Sequence, residues 1–223
     1  IMSAVDLTGA EAIHPGYGFL SENAEFSGPC AANDLVFIGP PATAIETMGS
    51  KSAAKKIMQE ASVPLLPSYH GGDQDEATLK KAADNMGYPV LLKAVAGGGG
   101  KGMRQVRSAD EFSEAFAAAK REAQSGFGND AMLVEKYLDR ARHVEVQVFC
   151  DSQGNGVYLF ERDCSVQLRN QKVVEIAPAP GLDPALRERL YADAIRLVKA
   201  AGYVNAGTVE FLVSPGSGEY FFI

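Results

Sequence analysis

The sequence lacks tryptophan, has only three cysteines and contains no apolar run of membrane-spanning length. Cys30, Cys150 and Cys164 are widely spaced without a CxxC pair, which argues against a disulfide framework and a structural zinc site. No signal peptide is visible, and a membrane-spanning helix would need about 20 apolar residues. The net charge of -7 excludes a general nucleic-acid binder, so any phosphate site must be local. We expect a globular chain in a reducing compartment.

Short strand-like segments alternate with helical patterns in the first half of the chain, which predicts an α/β architecture. Pro64 and Pro67 force the chain to be extended and suggest a hinge between two units. The next unit is predicted as a helix at 76–86, strands at 89–95 and 103–106, a helix at 110–124 and a strand at 132–137. An antiparallel hairpin with one buried face is then predicted at 143–148 and 157–161, followed by a helix at 184–201 and a hairpin at 207–213 and 219–223.

A lysine at the end of a predicted strand, Lys93, precedes a glycine-rich loop. The loop residues are Gly97, Gly98, Gly99, Gly100, Lys101, Gly102 and Met103. Such a loop exposes many backbone N–H groups that bind an anion, and the lysines add positive charge, so we expect a phosphate site. The loop is neither GxxxxGK[ST] nor GxGxxG, and the alternative is a flexible hairpin turn.

Three other segments have a functional and a structural interpretation. Residues 135–138 (Glu135, Lys136, Tyr137, Leu138) are either a purine contact or an ordinary strand end. Glu210 is either a magnesium ligand or an edge-strand glutamate that faces water. The polar segment 161–172 is either the wall of a site or a solvated connection, and its Cys164 is predicted to be packed rather than reactive.

The segment around Tyr17, residues 14–23, predicts a glycine-proline turn that leads into a helix, with Ser21 as the candidate cap.

Six of these segments together resemble the biotin carboxylases of the ATP-grasp superfamily. They are HPGYGFLSEN (14–23), GGGGKGM (97–103), EKYL (135–138), RHVEVQVF (142–149), ERDCSVQ (161–167) and APAPGL (177–182). Within the family, FIGPP (37–41), MGSKS (48–52) and YHG (69–71) are most similar to the α subunit of 3-methylcrotonyl-CoA carboxylase. The resemblance implies that 1–48 is the end of a Rossmann-like pre-ATP-grasp domain. Residues 49–223 would be an incomplete α+β ATP-grasp domain with a mobile glycine-rich lid at about 66–137. Both ends of the chain suggest a fragment.

The resemblance also implies a role for each candidate residue. Lys51 and Lys93 would contact the ATP phosphates, the loop from Gly97 to Gly102 would close over them, and Met103 with Glu135 to Leu138 would surround the adenine. Glu210 would bind Mg2+ or Mn2+. The catalytic group would consist of His143 and Gln167, near the ribose and the biotin and bicarbonate side, and Lys172, which would hold bicarbonate or carboxyphosphate. Tyr17 would approach biotin.

The implied reaction has two steps: bicarbonate attacks ATP to give carboxyphosphate and ADP, and N1 of biotin then captures the released CO2. Biotin would be tethered to a carrier domain that is not in this chain, and a carboxyltransferase subunit would choose the acyl-CoA. The family further implies a homo-oligomer or an α/β complex, in the bacterial cytoplasm or the mitochondrial matrix. No nucleic-acid or membrane partner is expected.

Three residues depart from the family pattern. Leu168 replaces an arginine, Asn170 a histidine and Ile176 a glutamate. The pattern also continues beyond Ile223 into a segment with a second magnesium carboxylate, an arginine and a glutamate, so we expect this chain alone to be inactive. The alternatives are a non-catalytic nucleotide-binding or assembly subunit with a decayed site, and another ATP-grasp ligase such as a carbamoyl-phosphate synthetase.

Overall fold

The computed structural model describes residues 1–49, 51–96, 102–169 and 171–223 and has a mixed α/β architecture. Its first part contains a parallel two-stranded sheet, in which Ala12 pairs with Val36. The elements of this part are α1 (Met2–Thr8), β1 (Ala12–Ile13), a 3-10 helix (Phe19–Glu22), α2 (Ala24–Ala32), β2 (Val36–Phe37) and α3 (Ala42–Gly49). A parallel pair joined through a helix is typical of α/β connections.

The cap of α2 differs from the prediction. The side chain of Asn23, not that of Ser21, accepts a hydrogen bond from the N–H of Phe26 at 2.8 Å. Ser21 instead donates to the carbonyl of Gly18 at 3.0 Å, inside the 3-10 helix. The shift has a simple cause: the 3-10 helix ends the turn, and α2 begins only after it.

A second unit, here called the lid, is a four-stranded antiparallel sheet covered by two helices. Its elements are β3 (Ser68–Tyr69), α5 (Glu76–Met86), β4 (Val90–Ala94), β5 (Met103–Val106), α6 (Phe112–Phe127) and β6 (Met132–Lys136), and the strand order is β3-β6-β4-β5. Its separate core includes Leu79, Leu92, Phe112, Phe116 and Val134. The lid therefore carries its own buried apolar cluster, on the chain segment between the first part and the largest sheet.

The largest sheet has five antiparallel strands and supports most of the candidate site. It is preceded by α4 (Lys51–Glu60), and its own elements are β7 (Arg142–Cys150), β8 (Gly156–Leu168), β9 (Gln171–Ile176), α7 (Pro184–Ala200), β10 (Asn205–Val213) and β11 (Tyr220–Phe222). The strand order is β11-β10-β7-β8-β9. Apolar side chains of α7, such as Leu190 and Leu197, pack against Val146 and Phe211 on one face. The opposite face is left for polar groups.

Side-chain caps explain why two long helices begin where the sequence predicts. Asp75 accepts from the N–H of Thr78 at 2.9 Å at the start of α5, and Asp183 accepts from the N–H of Leu186 at 3.1 Å at the start of α7. The helix predicted at 110–124 runs to Phe127, because the left-handed residue that ends it is Gly128, with φ of 69°. None of the helices within the described ranges is long and apolar enough to cross a membrane.

The hairpin strand predicted at 157–161 is much longer in the structure. β8 continues to Leu168 and pairs with β9, a strand that the sequence analysis did not predict. The segment 161–172 is therefore not a solvated connection but a strand pair. Its charged residues obscured the strand pattern, because they pair with groups on neighbouring strands instead of facing water.

Phe112→Ala should strongly destabilise the lid, because Phe112 is fully buried and stacks on Phe116 with ring centroids 5.8 Å apart. We expect a loss of about 3–5 kcal/mol in the free energy of unfolding, measured by urea denaturation. The control is Phe149→Ala, which truncates a phenylalanine that is 48% exposed. Equal losses for the two variants would contradict the assignment of Phe112 to a closed core.

Candidate active site

Four residues predicted to act in catalysis or metal binding meet on the polar face of the five-stranded sheet. His143, Gln167, Lys172 and Glu210 lie on the four neighbouring strands β7, β8, β9 and β10. The Lys172 ammonium contacts the Glu210 carboxylate, and Nε2 of His143 lies 3.4 Å from Oε1 of Glu210. Glu210 does not lie on an edge strand, because β10 is between β11 and β7.

The centre of this cluster is a carboxylate that the sequence analysis missed. Glu145 is only 3% exposed, contacts Lys172 with one oxygen and accepts from Nε of Arg162 at 2.7 Å with the other. It lies between His143 and Gln147 on the polar side of β7. The sequence predicted one buried face for this hairpin, and the structure shows that cations from β8 and β9 also cover its polar side. The strict alternation of 143–148 was the signal that could have found Glu145.

Arg162, also missed, connects the cluster to the next part of the same face. Its Nη1 donates to Oε1 of Gln147 at 3.2 Å, and its Nε lies 3.5 Å from Oε2 of Glu175. Gln147 in turn donates to the carbonyl of Gly207 at 2.7 Å. The polar groups of β7, β8, β9 and β10 are therefore joined in one network, which holds each side chain in a defined orientation.

The neighbours of His143 indicate its tautomer. Gln167 Nε2 lies 2.9 Å from the carbonyl oxygen of Cys164, which can only accept, so this atom is the amide nitrogen. The same Nε2 lies 2.9 Å from Nδ1 of His143, which must therefore accept. A neutral ring then carries its proton on Nε2, the atom that faces Glu210.

The ion pairs shift the protonation of both central groups toward their charged forms. His143 and then Lys172, against the effect of burial, lower the pKa of Glu210 from 4.5 to about 2. Burial opposes the charge of Lys172, but its hydrogen bonds to Glu145 and Glu210 outweigh burial and raise the pKa of the lysine. Lys172 therefore stays a cation at neutral pH and is suited to hold an anion rather than to accept a proton.

The lid side of the site contains a second ion pair. Lys93, on β4, contacts the carboxylate of Glu135 on β6, and Met103 pairs with Lys93 across β4 and β5. The Lys136 ammonium points elsewhere and donates to the carbonyl of Gly87 at 2.9 Å. Tyr137 and Leu138 follow β6 and are half-buried. The lid thus brings together Lys93, Met103 and Glu135. The side chain of Lys136 instead bonds to another part of the lid.

Two cavities border these groups. One of about 320 Å³ is lined by Lys93 and Glu135 together with the apolar Met48, Leu66 and Phe222. The other, of about 600 Å³, borders the polar face and is lined by Tyr17, Gln147, Arg162 and Thr208, among others. Tyr17 is 95% exposed, so its ring is accessible from this cavity. The first cavity combines an apolar wall with charged groups, a combination typical of small-molecule sites.

Several predicted residues lie outside the described parts of the structure. The glycines Gly97 to Gly100, Lys101 and Asn170 fall in the gaps, and of Lys51 only its backbone, at the start of α4, is described. Gly102 is described and has φ of 70°, and a Cβ at this position would lie 3.1 Å from Cβ of Ala94. Only glycine fits this turn without strain.

Two of the three departures from the family pattern are exposed side chains. Leu168 is 66% exposed at the end of β8, and Ile176 is 44% exposed at the opposite end of β9 from Lys172. Cys164 is fully buried, and burial and then Glu145 raise the pKa of its thiol to about 11. A protonated, inaccessible thiol agrees with the prediction that Cys164 is packed rather than reactive.

Comparison with known families fits this geometry. Residues 50–223 match the family described as carbamoyl-phosphate synthase L chain, ATP binding domain, and residues 1–45 match the biotin carboxylase N-terminal domain. The chain belongs to the biotin carboxylase family. This confirms the resemblance stated from the sequence motifs.

Individual relatives are similar to this chain along nearly all of its residues. It is 56% identical to methylcrotonoyl-CoA carboxylase subunit alpha, mitochondrial, of Rattus norvegicus, over 99% of this chain and 31% of that protein. It is 49% identical to the biotin carboxylase of Nostoc sp., over 100% of this chain and 50% of that protein. The chain thus spans between 31% and 50% of these relatives' length.

Two solved structures give the same result for the fold. A biotin carboxylase complex with βγ-ATP from Campylobacter jejuni matches with a TM-score of 0.90 and 47% identity, over 100% of this chain and 50% of that one. The biotin carboxylase domain of 2-oxoglutarate carboxylase from Hydrogenobacter thermophilus, solved with MgADP and bicarbonate, matches with a TM-score of 0.87 and 45% identity, over 99% and 49%. The predicted ATP-grasp fold is confirmed.

Glu210→Gln should change the dependence of stability on acid pH. Because the folded pKa of Glu210 lies near 2 and the ordinary value is 4.5, its charge stabilises the fold above about pH 4.5, and this stabilisation is lost as pH falls toward 2. The difference in free energy of unfolding between the parent protein and the variant should therefore shrink below pH 4.5 in urea titrations. Glu122→Gln, which removes only an exposed ion pair with Arg104, is the control. A pH-independent difference for Glu210→Gln would show that the carboxylate does not have this lowered pKa.

Proposed function

We propose that this chain is the ATP-binding core of a biotin carboxylase that uses ATP and bicarbonate to carboxylate carrier-linked biotin through carboxyphosphate. The observation that carries the proposal is the contact of Lys172 with both Glu145 and Glu210, since it gives one polar face a fixed cation beside a carboxylate suited to a metal. The apolar cavity between the lid and α3, with Lys93 in its wall, gives this face a neighbouring nucleotide pocket.

The nucleotide would lie in that cavity. Lys93 and Lys51 would bind its phosphates, and the loop from Gly97 to Gly102 would close over them. Met103 and the segment from Glu135 to Leu138 would surround the adenine, with the charge of Glu135 already balanced by Lys93. The lid is suited to this role because closure excludes water, which would otherwise hydrolyse carboxyphosphate.

Glu210 would hold Mg2+ or Mn2+, because its ionised carboxylate offers the oxygen donor that these cations prefer. When bound, the metal supplies positive charge that neutralises the phosphoryl group during transfer. Lys172 would then bind bicarbonate or carboxyphosphate as a permanent cation, and its contact with Glu145 would keep it in place while Glu210 engages the metal.

The remaining catalytic residues would orient the reactants. His143, whose Nε2 faces Glu210 at 3.4 Å, and Gln167, which contacts Nδ1 of the ring, would lie toward the ribose and the bicarbonate side. Tyr17 would approach biotin in the 600 Å³ cavity, where Arg162 and Gln147 form the facing wall.

The partners follow from the same proposal. They are bicarbonate, a biotinylated carrier domain and a carboxyltransferase subunit, in a homo-oligomer or an α/β complex. The compartment would be the bacterial cytoplasm or the mitochondrial matrix, and the second is consistent with the relatives whose names include "mitochondrial".

A non-catalytic nucleotide-binding or assembly subunit is the second candidate, and the departures at Leu168, Asn170 and Ile176 favour it. A carbamoyl-phosphate synthetase would also carry the ATP-binding domain matched by residues 50–223, but the biotin carboxylase N-terminal match at residues 1–45 argues for the first proposal.

Lys93→Met should weaken the binding of MgATP by about tenfold or more, because it removes a cation from the phosphate site. Isothermal titration calorimetry measures this affinity directly. Lys120→Met is the matched control, since Lys120 also lies in the lid but pairs with Asp130 at 2.9 Å. Equal affinities for the two variants would contradict the proposed nucleotide site.

In a longer protein that joins this chain to the segment into which the family pattern continues, Lys172→Met should reduce ADP release that depends on both bicarbonate and biotin by about 100-fold or more, with nearly unchanged ATP affinity. The reason is that Lys172 would bind the reacting anion and not the nucleotide. Lys199→Met, at the exposed end of α7, should behave like the parent protein. ATP binding without any biotin-dependent ADP release in the parent protein would favour the non-catalytic subunit.

A further inference from the structure

A buried acid on β8, Glu161, lies outside the proposed active site. Glu161 is only 1% exposed, and its side chain lies on the α7 side of the sheet. Its Oε1 accepts from the N–H of Ala179 at 3.1 Å and lies 3.0 Å from Nε of Arg187, while Oε2 accepts from the hydroxyl of Tyr191. Two hydrogen-bond donors and one guanidinium group, from α7 and the segment before it, thus converge on one carboxylate.

These contacts hold both backbone polar groups of Ala179. Its N–H donates to Glu161, and its carbonyl accepts from Nη2 of Arg187 at 2.6 Å. Ala179 is fully buried and follows the end of β9 at Ile176 by three positions. The ion pair between Glu161 and Arg187 therefore fixes the point where the chain leaves β9 and turns toward α7.

Besides its pairing with β8, β9 is held by the ion pairs of Lys172 with Glu145 and Glu210 and of Glu175 with Arg162. It is an edge strand with β8 as its single neighbour within the described sheet, and all six of its residues are exposed. The pairing of β8 with β9 has irregular register between Asp163 and Val166 and again between Val166 and Gln167. An irregular, one-sided ladder restrains a strand weakly, so its ends must contribute to its position.

We propose that Glu161 is a positioning residue for Lys172, which it holds in register by anchoring the C-terminal end of β9 through Ala179. Loss of the anchor loosens β9 and weakens the contacts of Lys172 with Glu145 and Glu210. The positioning of the strand is independent of any activity, and only its catalytic consequence rests on the proposed function.

The same helix provides a matched control. Asp193 is 4% exposed, accepts from the hydroxyl of Tyr220 at 2.8 Å and pairs with Arg196 at 3.0 Å. Arg196 also donates to the carbonyl of Ala61 at 3.1 Å. This cluster has the same composition as that of Glu161, an acid with a tyrosine and an arginine that binds a loop carbonyl, but it has no contact with β9.

The test compares Glu161→Gln with Asp193→Asn by native-state hydrogen exchange, using the amides of β10 as an internal reference. We expect exchange of residues 171–176 relative to β10 to rise about tenfold in Glu161→Gln and to stay unchanged in Asp193→Asn. An unchanged ratio in Glu161→Gln, or the same rise in both variants, would overturn the proposal.

If Glu161→Gln does not fold, Tyr191→Phe gives the decisive measurement, because it removes one donor and keeps the ring stacked on Tyr158, with centroids 4.3 Å apart. A rise of about threefold in β9 exchange is expected, and no rise overturns the proposal.

Acetylation of Lys172 by limiting reagent, followed by mass spectrometry, gives a second readout. Its rate should increase in Glu161→Gln relative to that of Lys120, and an unchanged rate counts against the proposal. In the assay of bicarbonate- and biotin-dependent ADP release by the longer protein, Glu161→Gln should raise KM for bicarbonate and leave KM for ATP unchanged. Loosened β9 in that protein without any biotin-dependent turnover would support the positioning role and contradict the proposed function.

Discussion

A carboxylate buried under a sheet face is stable only where cations and donors surround it, and Glu145 meets this condition through Arg162 and Lys172. The two cations come from β8 and β9, so three strands must keep their register for the charge to be balanced. The same register brings Lys172 to Glu210 on β10. Both the geometry of the site and the register of the strands therefore depend on the ion pairs of Glu145 with Arg162 and Lys172.

The two faces of the five-stranded sheet differ in composition: one carries the polar groups of the candidate site, and the other packs on α7. The polar face carries charges that a substrate or a metal can reach. The other face packs on α7 and buries the acids Glu161 and Asp193, each balanced by an arginine and a tyrosine. Removing one partner from such a cluster costs about 3–5 kcal/mol, because a buried charge is left alone. The face that packs on α7 therefore holds the strands in fixed positions. The charged groups on the polar face depend on these positions for their distances from one another.

Much of the fold could be predicted from local sequence signals, whereas the pairing of strands that are distant in sequence could not. The helix at 76–86 and the strand at 103–106 match the structure because capping and periodicity are encoded within each segment. β9 and the second half of β8 were missed because their charges are balanced by other strands. Glu145 was missed for the same reason, since its burial depends on β8 and β9. No single segment reveals the strand order that brings together His143, Gln167, Lys172 and Glu210. The roles predicted for these four residues came from the family resemblance.

The departures from the family pattern bear on whether the site has decayed. An arginine replaced by Leu168 removes one positive charge, and a glutamate replaced by Ile176 removes one negative charge, so the net charge of the β8–β9 hairpin is unchanged by the pair. Both side chains are exposed, and the ion pairs of Lys172 are made with other residues, Glu145 and Glu210. The cation at the centre of the site therefore keeps its partners despite these two changes. What the pair alters is the surface of the hairpin, which becomes more apolar, and Ile176 lies on the edge strand β9, where charges usually discourage pairing with other chains.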